Sequence, residues 1–416
     1  ELKTVDDIKK SFSSLSNDNA TKFLEVMIVG SLNTNASDIH LEKREEQALL
    51  RFRLDGELQD IVFLANETYR MILSRIKLLS NMTLNIHDQA QDGRFTISLD
   101  KKETEVRVSI IPGAFGENVV MRILNPDNLQ LDLEKLGFRP DALKFMQKEI
   151  QRPNGMIITT GPTGSGKTTT LYAFLRAVNK PEIKIITLED PIEYRLEGLT
   201  QTQVEAERGY TFASGLRAIL RQDPDVILVG EIRDKETAEV ALNAALTGHL
   251  VFSTLHTNDA AGAIPRFIDM GANPVTLSAG LIDIMAQRLL RRVCSACREE
   301  YLPSKEELEK IKRVIDTWPK KLTPPKFGEN IKLARGRGCP ICNQTGFKGR
   351  IAIYEIIPVT PEIEKLITQS PSHAQILEVL EKRQDFISLY RDGFLKVLEG
   401  VTTLEELEGV VGQLQI

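Results

Sequence analysis

Cysteine is nearly absent from this chain, with four in 416 residues, so a disulfide-dense secreted scaffold is excluded. No apolar run reaches the ~18 residues that a membrane-spanning helix needs. No signal peptide opens the sequence, because Glu1-Leu2-Lys3-Thr4-Val5-Asp6 is polar and charged. An initiator Met is also missing, so an upstream segment, and with it a further N-terminal domain, is expected. No charge of one sign dominates: 53 basic against 58 acidic residues leave a net charge of −5, which argues against bulk nucleic-acid binding. There is no internal repeat and no low-complexity tract. What is present is the composition of a soluble globular protein, 42% apolar and 27% charged, at a length that calls for two or three domains.

The most informative residues are Gly161-Pro162-Thr163-Gly164-Ser165-Gly166-Lys167-Thr168. Before them, Gly155 to Thr160 reads as a short buried strand. After them, Thr169 to Leu175 reads as a helix. Strand, glycine-rich loop and helix is the context a phosphate-binding loop requires. Its backbone N–H groups sit at a helix N-terminus and favour an anion. Lys167 is expected to reach the β- and γ-phosphates of a nucleoside triphosphate, and the Thr168 hydroxyl to ligate Mg²⁺. Gly161 through Thr169 are therefore the expected nucleotide-binding residues.

Three regions follow from the patterning. Residues 1–125 read as an α+β domain. Its helices are expected near Ala20–Val29 and Tyr69–Leu79, and its strands near Ala48–Leu54, Leu58–Phe63, Glu105–Ile111 and Asn118–Ile123. Asp55-Gly56 marks a hairpin turn between the first two strands. Asn125-Pro126-Asp127-Asn128 begins a polar linker, 126–138. From 139 onward strands and helices alternate, which indicates an α/β fold with a parallel, doubly wound sheet; further strands are expected at Ile183–Leu188, Val226–Val229 and Leu250–Thr254. A lysine-rich insert, 290–345, interrupts this domain. A helical part, 361–416, ends it, with Ile363, Leu366, Ile367, Ile376, Leu377 and Leu380 at steps that suit amphipathic helices on the same core.

Carboxylates stand where an α/β sheet binds ligands. Asp225 to Glu231 is an apolar strand ending in Gly230-Glu231, so Glu231 takes the Mg²⁺- and water-holding position usually filled by an Asp. Glu189-Asp190-Pro191-Ile192-Glu193 follows another apolar strand and would hold Mg²⁺ through water or polarise the attacking water. On its own it fits a solvated acidic loop equally well. His256 falls just past the C-terminal end of its strand, on the ligand side, whereas His249 at the other end reads as structural. His40, His87 and His373 show no metal spacing. Arg94, Arg107, Arg217, Arg221 and Arg233 are the candidate partners for developing phosphoryl charge, because a guanidinium fork matches phosphate oxygens. Surface ion pairing is the ordinary alternative for each.

Cys294-x-x-Cys297 and Cys339-x-x-Cys342 are separated by 41 residues. Four thiolates suit a tetrahedral Zn²⁺, and with no fifth Cys or His ligand the site reads as closed and structural. Free thiols and disulfides are the alternatives.

Taken together these residues resemble the secretion ATPases that drive type II secretion and type IV pilus assembly, over nearly the whole chain. Gly161–Thr168 matches that family's Walker A loop, Glu189–Glu193 its aspartate box, Gly230-Glu231 its atypical Walker B and Gly248–His256 its histidine box. Ser37 to Glu42, Gln91 to Arg94 and Arg107 to Ser109 resemble the pattern that precedes the motor. The resemblance implies a PAS-like N-terminal domain, a RecA-like motor with a tetracysteine zinc insert, and a homohexamer at the cytoplasmic face of the inner membrane. It implies ATP between the two domains with the five arginines around its phosphates. Glu193 is implied as the catalytic base, with Glu189 competing. Its implied partners are an inner-membrane platform protein and a cytoplasmic docking protein, with no nucleic acid. The tetracysteine insert favours assembly or export over pilus retraction. Ile353 to Val359 leans toward pilus assembly, with type II secretion as the alternative. A nucleotide-binding scaffold with little turnover and a nucleic-acid translocase are the competitors from other classes.

Overall fold

A computed structural model describes residues 2–15, 19–99, 102–125, 132–325, 328 and 331–413. Its contacts divide the chain into two units. The first takes in Glu1–Gln130, Val293–Glu299 and Gly336–Gly349. The second takes in Leu131–Arg292, Glu300–Arg335 and Arg350–Ile416. The tetracysteine insert is thus shared out: its two cysteine-bearing ends belong to the first unit and its middle to the second. Residues 126–131 of the expected linker lie outside the described residues.

In the first unit, alternating apolar residues build an antiparallel sheet with one covered face. Its strands are β1 (Asp38–Lys43), β2 (Gln47–Leu54), β3 (Glu57–Ala65), β4 (Gln91–Leu99), β5 (Lys102–Gly113) and β6 (Gly116–Leu124), in the order β3-β2-β1-β6-β5-β4. The β2–β3 turn falls at Asp55-Gly56, both at positive φ as that tight turn demands. The helices Val5–Ser13, Ala20–Asn33 and Asn66–Leu79 cover one face, where Ile8, Met27 and Ile76 pack with Leu41, Phe52, Val108 and Met121. Strands β1 and β4 were not among those expected. Both do alternate, through Ile39 and Leu41 in β1 and Phe95, Ile97 and Leu99 in β4, but β1 offers only two apolar residues among charges and β4 is an edge strand with no fully buried residue, so each pattern is short.

In the second unit the strands are β7 (Gly155–Thr160), β8 (Ile185–Glu189), β9 (Thr200–Gln203), β10 (Val226–Val229), β11 (Leu250–Leu255), β12 (Leu281–Val293) and β15 (Phe347–Pro358), in the order β15-β12-β7-β11-β10-β8-β9. Two short strands, β13 (Arg298–Tyr301) and β14 (Leu333–Gly336), pair separately. From β12 to β9 every neighbouring pair is parallel. β7, β8, β10 and β11 are buried along their whole length, which is why they read as continuous apolar runs. The C-terminal helices Pro361–Ile367 and His373–Arg383 insert Ile363, Ile367, Ile376 and Leu380 into the core that holds Ile158 and Val229, as their spacing predicts. Among the described residues no helix is long and apolar enough to cross a membrane.

Candidate functional site

The β7 strand delivers the glycine-rich loop to the C-terminal edge of the sheet, and the helix Lys167–Val178 leaves from it. Gly161, Gly164 and Gly166 have φ of +151°, +80° and +88°, which side-chain-bearing residues rarely adopt. A Cβ on Gly161 would lie 2.6 Å from both the Gln287 carbonyl oxygen and Ser165 Oγ, so the loop closes only around glycine here. Lys167 Nζ donates to the Gly161 carbonyl at 2.6 Å and the Pro162 carbonyl at 3.2 Å, so the ammonium is centred on the loop. Burial pushes Lys167 down to about 8, with Arg288 adding to the shift and Glu231 opposing it. Ser165 Oγ is buried without a hydrogen-bond partner. A cradle of N–H groups, a buried cation and an unsatisfied hydroxyl is chemically matched to a phosphate chain.

Adjacent strands bring the acidic residues to the same edge. Gly230 N–H donates to the Leu188 carbonyl at 2.8 Å, so the ends of β8 and β10 lie side by side. A Cβ at Gly230 would sit 3.3 Å from that carbonyl and 3.4 Å from Glu189 Cα, which leaves little room for the Asp otherwise expected. Glu231 is the next residue. Its Oε1 lies 2.5 Å from Arg233 Nη2 and its Oε2 3.6 Å from His256 Nε2. Burial and the neighbouring Lys167 charge lower the His256 pKa, with Glu231 pulling the other way. Lys167, Glu231, Arg233 and His256 thus form one electrostatic group.

Glu189 is buried and accepts from the Tyr172 hydroxyl, from Thr187 Oγ1 at 2.6 Å and from Gln201 Nε2 at 3.2 Å. Burial and this carboxylate raise the Tyr172 phenol far above its usual range; the Glu193 charge acts on the same phenol. His249 Nδ1 lies 3.0 Å from the Ala244 carbonyl at the far end of β11, in keeping with a structural role.

The arginines divide. Arg233 joins the group around Glu231. Arg217 pairs with Glu236 at 2.7 Å, and Arg221 donates to the Arg217 carbonyl at 2.9 Å, so neither engages the phosphate loop. Arg94 and Arg107 belong to the first unit, opposite each other on β4 and β5, with Glu105 carboxylate oxygens 3.8 Å and 3.2 Å away. The sequence reading missed Gln287 and Arg288 on β12, which back the phosphate loop, and Tyr172 and Gln201, which hold Glu189. Nothing in composition separates Arg288 from the arginines that follow it in Gln287-Arg288-Leu289-Leu290-Arg291-Arg292. Only the alignment of β12 beside β7 does so.

The four cysteines converge within the first unit. Their sulfurs lie within 4.8 Å of one another; Cys294–Cys339, Cys297–Cys342 and Cys339–Cys342 are 3.9, 3.8 and 3.6 Å apart. A tetrahedral Zn²⁺ with sulfurs at ~2.3 Å requires sulfur–sulfur edges of roughly 3.8 Å, so the set fits the ion, whereas a disulfide needs ~2.05 Å. The N–H groups of Cys339 and Gly346 donate to Cys342 Sγ at 3.2 and 3.3 Å. The module also grips its own unit. Asn343 Oδ1 accepts from Val5 N–H at 3.1 Å, and Gly349 N–H donates to Asp55 Oδ2 at 2.8 Å.

The pattern that defines the family "Type II/IV secretion system protein" matches residues 14–409. The chain is 44% identical over 386 residues to the type II secretion system protein E of Pseudomonas aeruginosa, covering 93% of this chain and 74% of that one. It is 40% identical over 410 residues to the type IV pilus assembly ATPase PilB of Myxococcus xanthus, covering 98% and 70%. Among solved structures, the pilus retraction motor PilT with bound ADP superimposes with a TM-score of 0.59 at 25% identity, covering 92% and 95%. The ATPase DotB of Legionella pneumophila has a TM-score of 0.66 at 21% identity, covering 93% and 94%, a likeness of fold.

Proposed function

The chain belongs to the type II/IV secretion system protein family, and from that premise we propose that it hydrolyses ATP to power a secretion or pilus-assembly machine. The observation that carries this reading is Lys167, seated on the Gly161–Gly166 loop and facing Glu231 and His256. In this reading the loop amides and Lys167 hold the ATP phosphates, with Thr168 and Thr169 at the helix N-terminus. The Thr168 hydroxyl and Glu231 are the oxygen donors for Mg²⁺, which when bound neutralises phosphate charge. Three donors fix Glu189, so we assign it to orienting the site and give Glu193 the role of base toward the attacking water. Arg233 and His256 meet the γ-phosphate. Arg94, Arg107, Arg217 and Arg221 supply further charge on assembly of a homohexamer, the state in which these arginines gain phosphate partners.

We further propose that the motor works at the inner membrane through a platform protein and a docking protein. The preference for pilus assembly over type II secretion rests on Ile353–Val359. Ile353, Tyr354 and Ile357 are fully buried in the second unit's core, so that stretch reports packing and does not separate the machines. The relatives weigh toward the type II alternative, at 44% identity for the secretion protein E against 40% for PilB. Restoring secretion or piliation in a strain that lacks the corresponding motor separates them.

The first test is Mg²⁺-dependent ATP hydrolysis over a range of protein concentrations. Activity per chain rises with concentration if a ring is the active form. Glu231→Gln lowers kcat about 10²–10³-fold while ATP still binds. Tight ATP binding without turnover at any concentration overturns the motor reading in favour of a nucleotide-binding scaffold.

A further inference from the structure

The segment after His256 is tied down at successive points within the second unit. Thr257 N–H donates to Thr160 Oγ1 at 2.9 Å, at the foot of the phosphate loop. The Asn258 carbonyl accepts from Arg288 Nη2 at 2.5 Å. Asp259 lies 2.8 Å from His373 Nε2 and accepts from Gly262 N–H at 2.8 Å. Ala260 N–H donates to Glu355 Oε1 at 2.8 Å, and the other oxygen of Glu355 accepts from Leu389 N–H at 3.2 Å, at the start of the helix Leu389–Leu398.

Two of these anchors are ionisable and sit on neighbouring strands, Arg288 on β12 and Glu355 on β15, where burial raises the Glu355 carboxyl to about 7. The same stretch of β12 also backs the phosphate loop. The Gln287 carbonyl closes on Gly161, Gln287 Nε2 would be 2.8 Å from a Cβ on Gly166, and Arg288 Nη1 3.2 Å from a Cβ on Gly161. Among the described residues Arg288 donates only to the Asn258 and Gln287 carbonyls; Asp259 and Glu355 act on it at longer range. A half-buried guanidinium spent on two backbone carbonyls is costly as mere filler. It is well used as a rigid spacer between two loops that must face one substrate.

We propose that Arg288 and Glu355 are positioning residues that hold the 256–262 segment, and with it His256, at a fixed distance from the phosphate loop. Neither touches the reacting atoms. Arg288 spans from the base of the Gly161 loop to the Asn258 carbonyl, and Glu355 fixes the far side of the segment to the helix Leu389–Leu398. A displaced His256 leaves nucleotide binding intact and lowers the chemical step. The assignment of a catalytic step rests on the ATPase reading above; the assignment of the clamp does not.

The test uses the full chain with Arg288→Ala, Arg288→Lys and Glu355→Gln, read by ATP turnover, by titration with a fluorescent ATP analogue, and by amide hydrogen exchange. Arg288→Ala is expected to lower kcat about 10–100-fold, the effect of an ångström-scale misplacement. KM stays within roughly threefold, because contacts that bind ground state and transition state alike are kept. Added guanidinium restores part of the kcat of Arg288→Ala and none of that of Arg288→Lys. Exchange at residues 256–262 quickens about tenfold in Arg288→Ala and Glu355→Gln and less in Arg288→Lys, as loss of an anchoring hydrogen bond predicts, with β7 and β11 protected as in the parent. Unchanged kcat in Arg288→Ala overturns the proposal, as does protection lost equally across β7 and β11. A parent chain without turnover overturns the ATPase reading alone. The clamp then stands or falls on whether exchange at 256–262 responds to the substitutions.

Discussion

At Lys167 the cost of burying an ammonium and the demand for a phosphate partner meet in one side chain. Burial brings the group to about 8, so near neutrality it is mostly charged and loses its proton as pH rises past that value. A bound phosphate favours the charged form. ATP affinity is therefore expected to weaken as pH rises from about 7 to 9, by up to about tenfold per pH unit above the midpoint. Titration with a fluorescent ATP analogue at fixed ionic strength measures this, and a flat profile through pH 8 contradicts it. Lys167→Ala should weaken binding about tenfold or more at neutral pH, the scale of a charge-assisted hydrogen bond.

At the scale of elements, β12 combines two environments. At its middle stand Gln287 and Arg288. Near its start Asp283 is fully buried, and neither of its carboxylate oxygens has a hydrogen-bond partner. Burial raises its pKa to about 8, the Glu149 charge adds to this and Arg152 opposes it. The folded chain then holds this proton more tightly than the unfolded chain. Its stabilising effect is complete below the ordinary carboxylate pKa and is lost as pH rises through about 8. Asp283→Asn should flatten the decline in stability over that window. At pH 9 it should be more stable than the parent by about 1–3 kcal/mol, the cost of a buried unsatisfied group. Urea midpoints at pH 5 and 9 decide it; equal pH dependence in both proteins rules it out.

The cysteine module is an element of a different kind, gathered around four thiols whose spacing fits a metal ion. Metal analysis should find about one zinc per chain, lost in Cys297→Ser. Removing the ion should speed amide exchange in Val5–Ser13, because Asn343 holds that helix's first N–H. Exchange that is unchanged by chelation would separate the module from the N-terminal helix.

For the whole molecule the arginines are the test. Arg217 and Arg221 are exposed in the second unit, while Arg94 and Arg107 lie in the first. In a ring these would serve as charge supplied to an active site. Arg107→Ala should then lower kcat about 10³-fold or more, as for other arginines that neutralise phosphoryl charge, with ATP affinity little changed. An equal loss of binding and turnover would place Arg107 in the fold alone. Size-exclusion chromatography with light scattering, run beside the activity assay, reports whether the dependence on concentration follows assembly.

Local chemistry made much of this legible beforehand. The loop Gly161–Thr168 announces itself because its glycines, lysine and threonine are each required at fixed spacing by one backbone shape. The β7, β8, β10 and β11 strands are readable because burial on both faces demands unbroken apolar runs. Cys294, Cys297, Cys339 and Cys342 are readable because so few residue types can fill a thiolate tetrahedron. Strand order, by contrast, is a long-range property. It alone sets β12 beside β7 and β15 beside β12, singles out Arg288 from its neighbouring arginines, and aims Glu355 at Ala260 across 95 positions of sequence. Which unit receives the cysteines is likewise tertiary. It depends on Asn343 meeting Val5 and Gly349 meeting Asp55, contacts between segments that no local pattern relates.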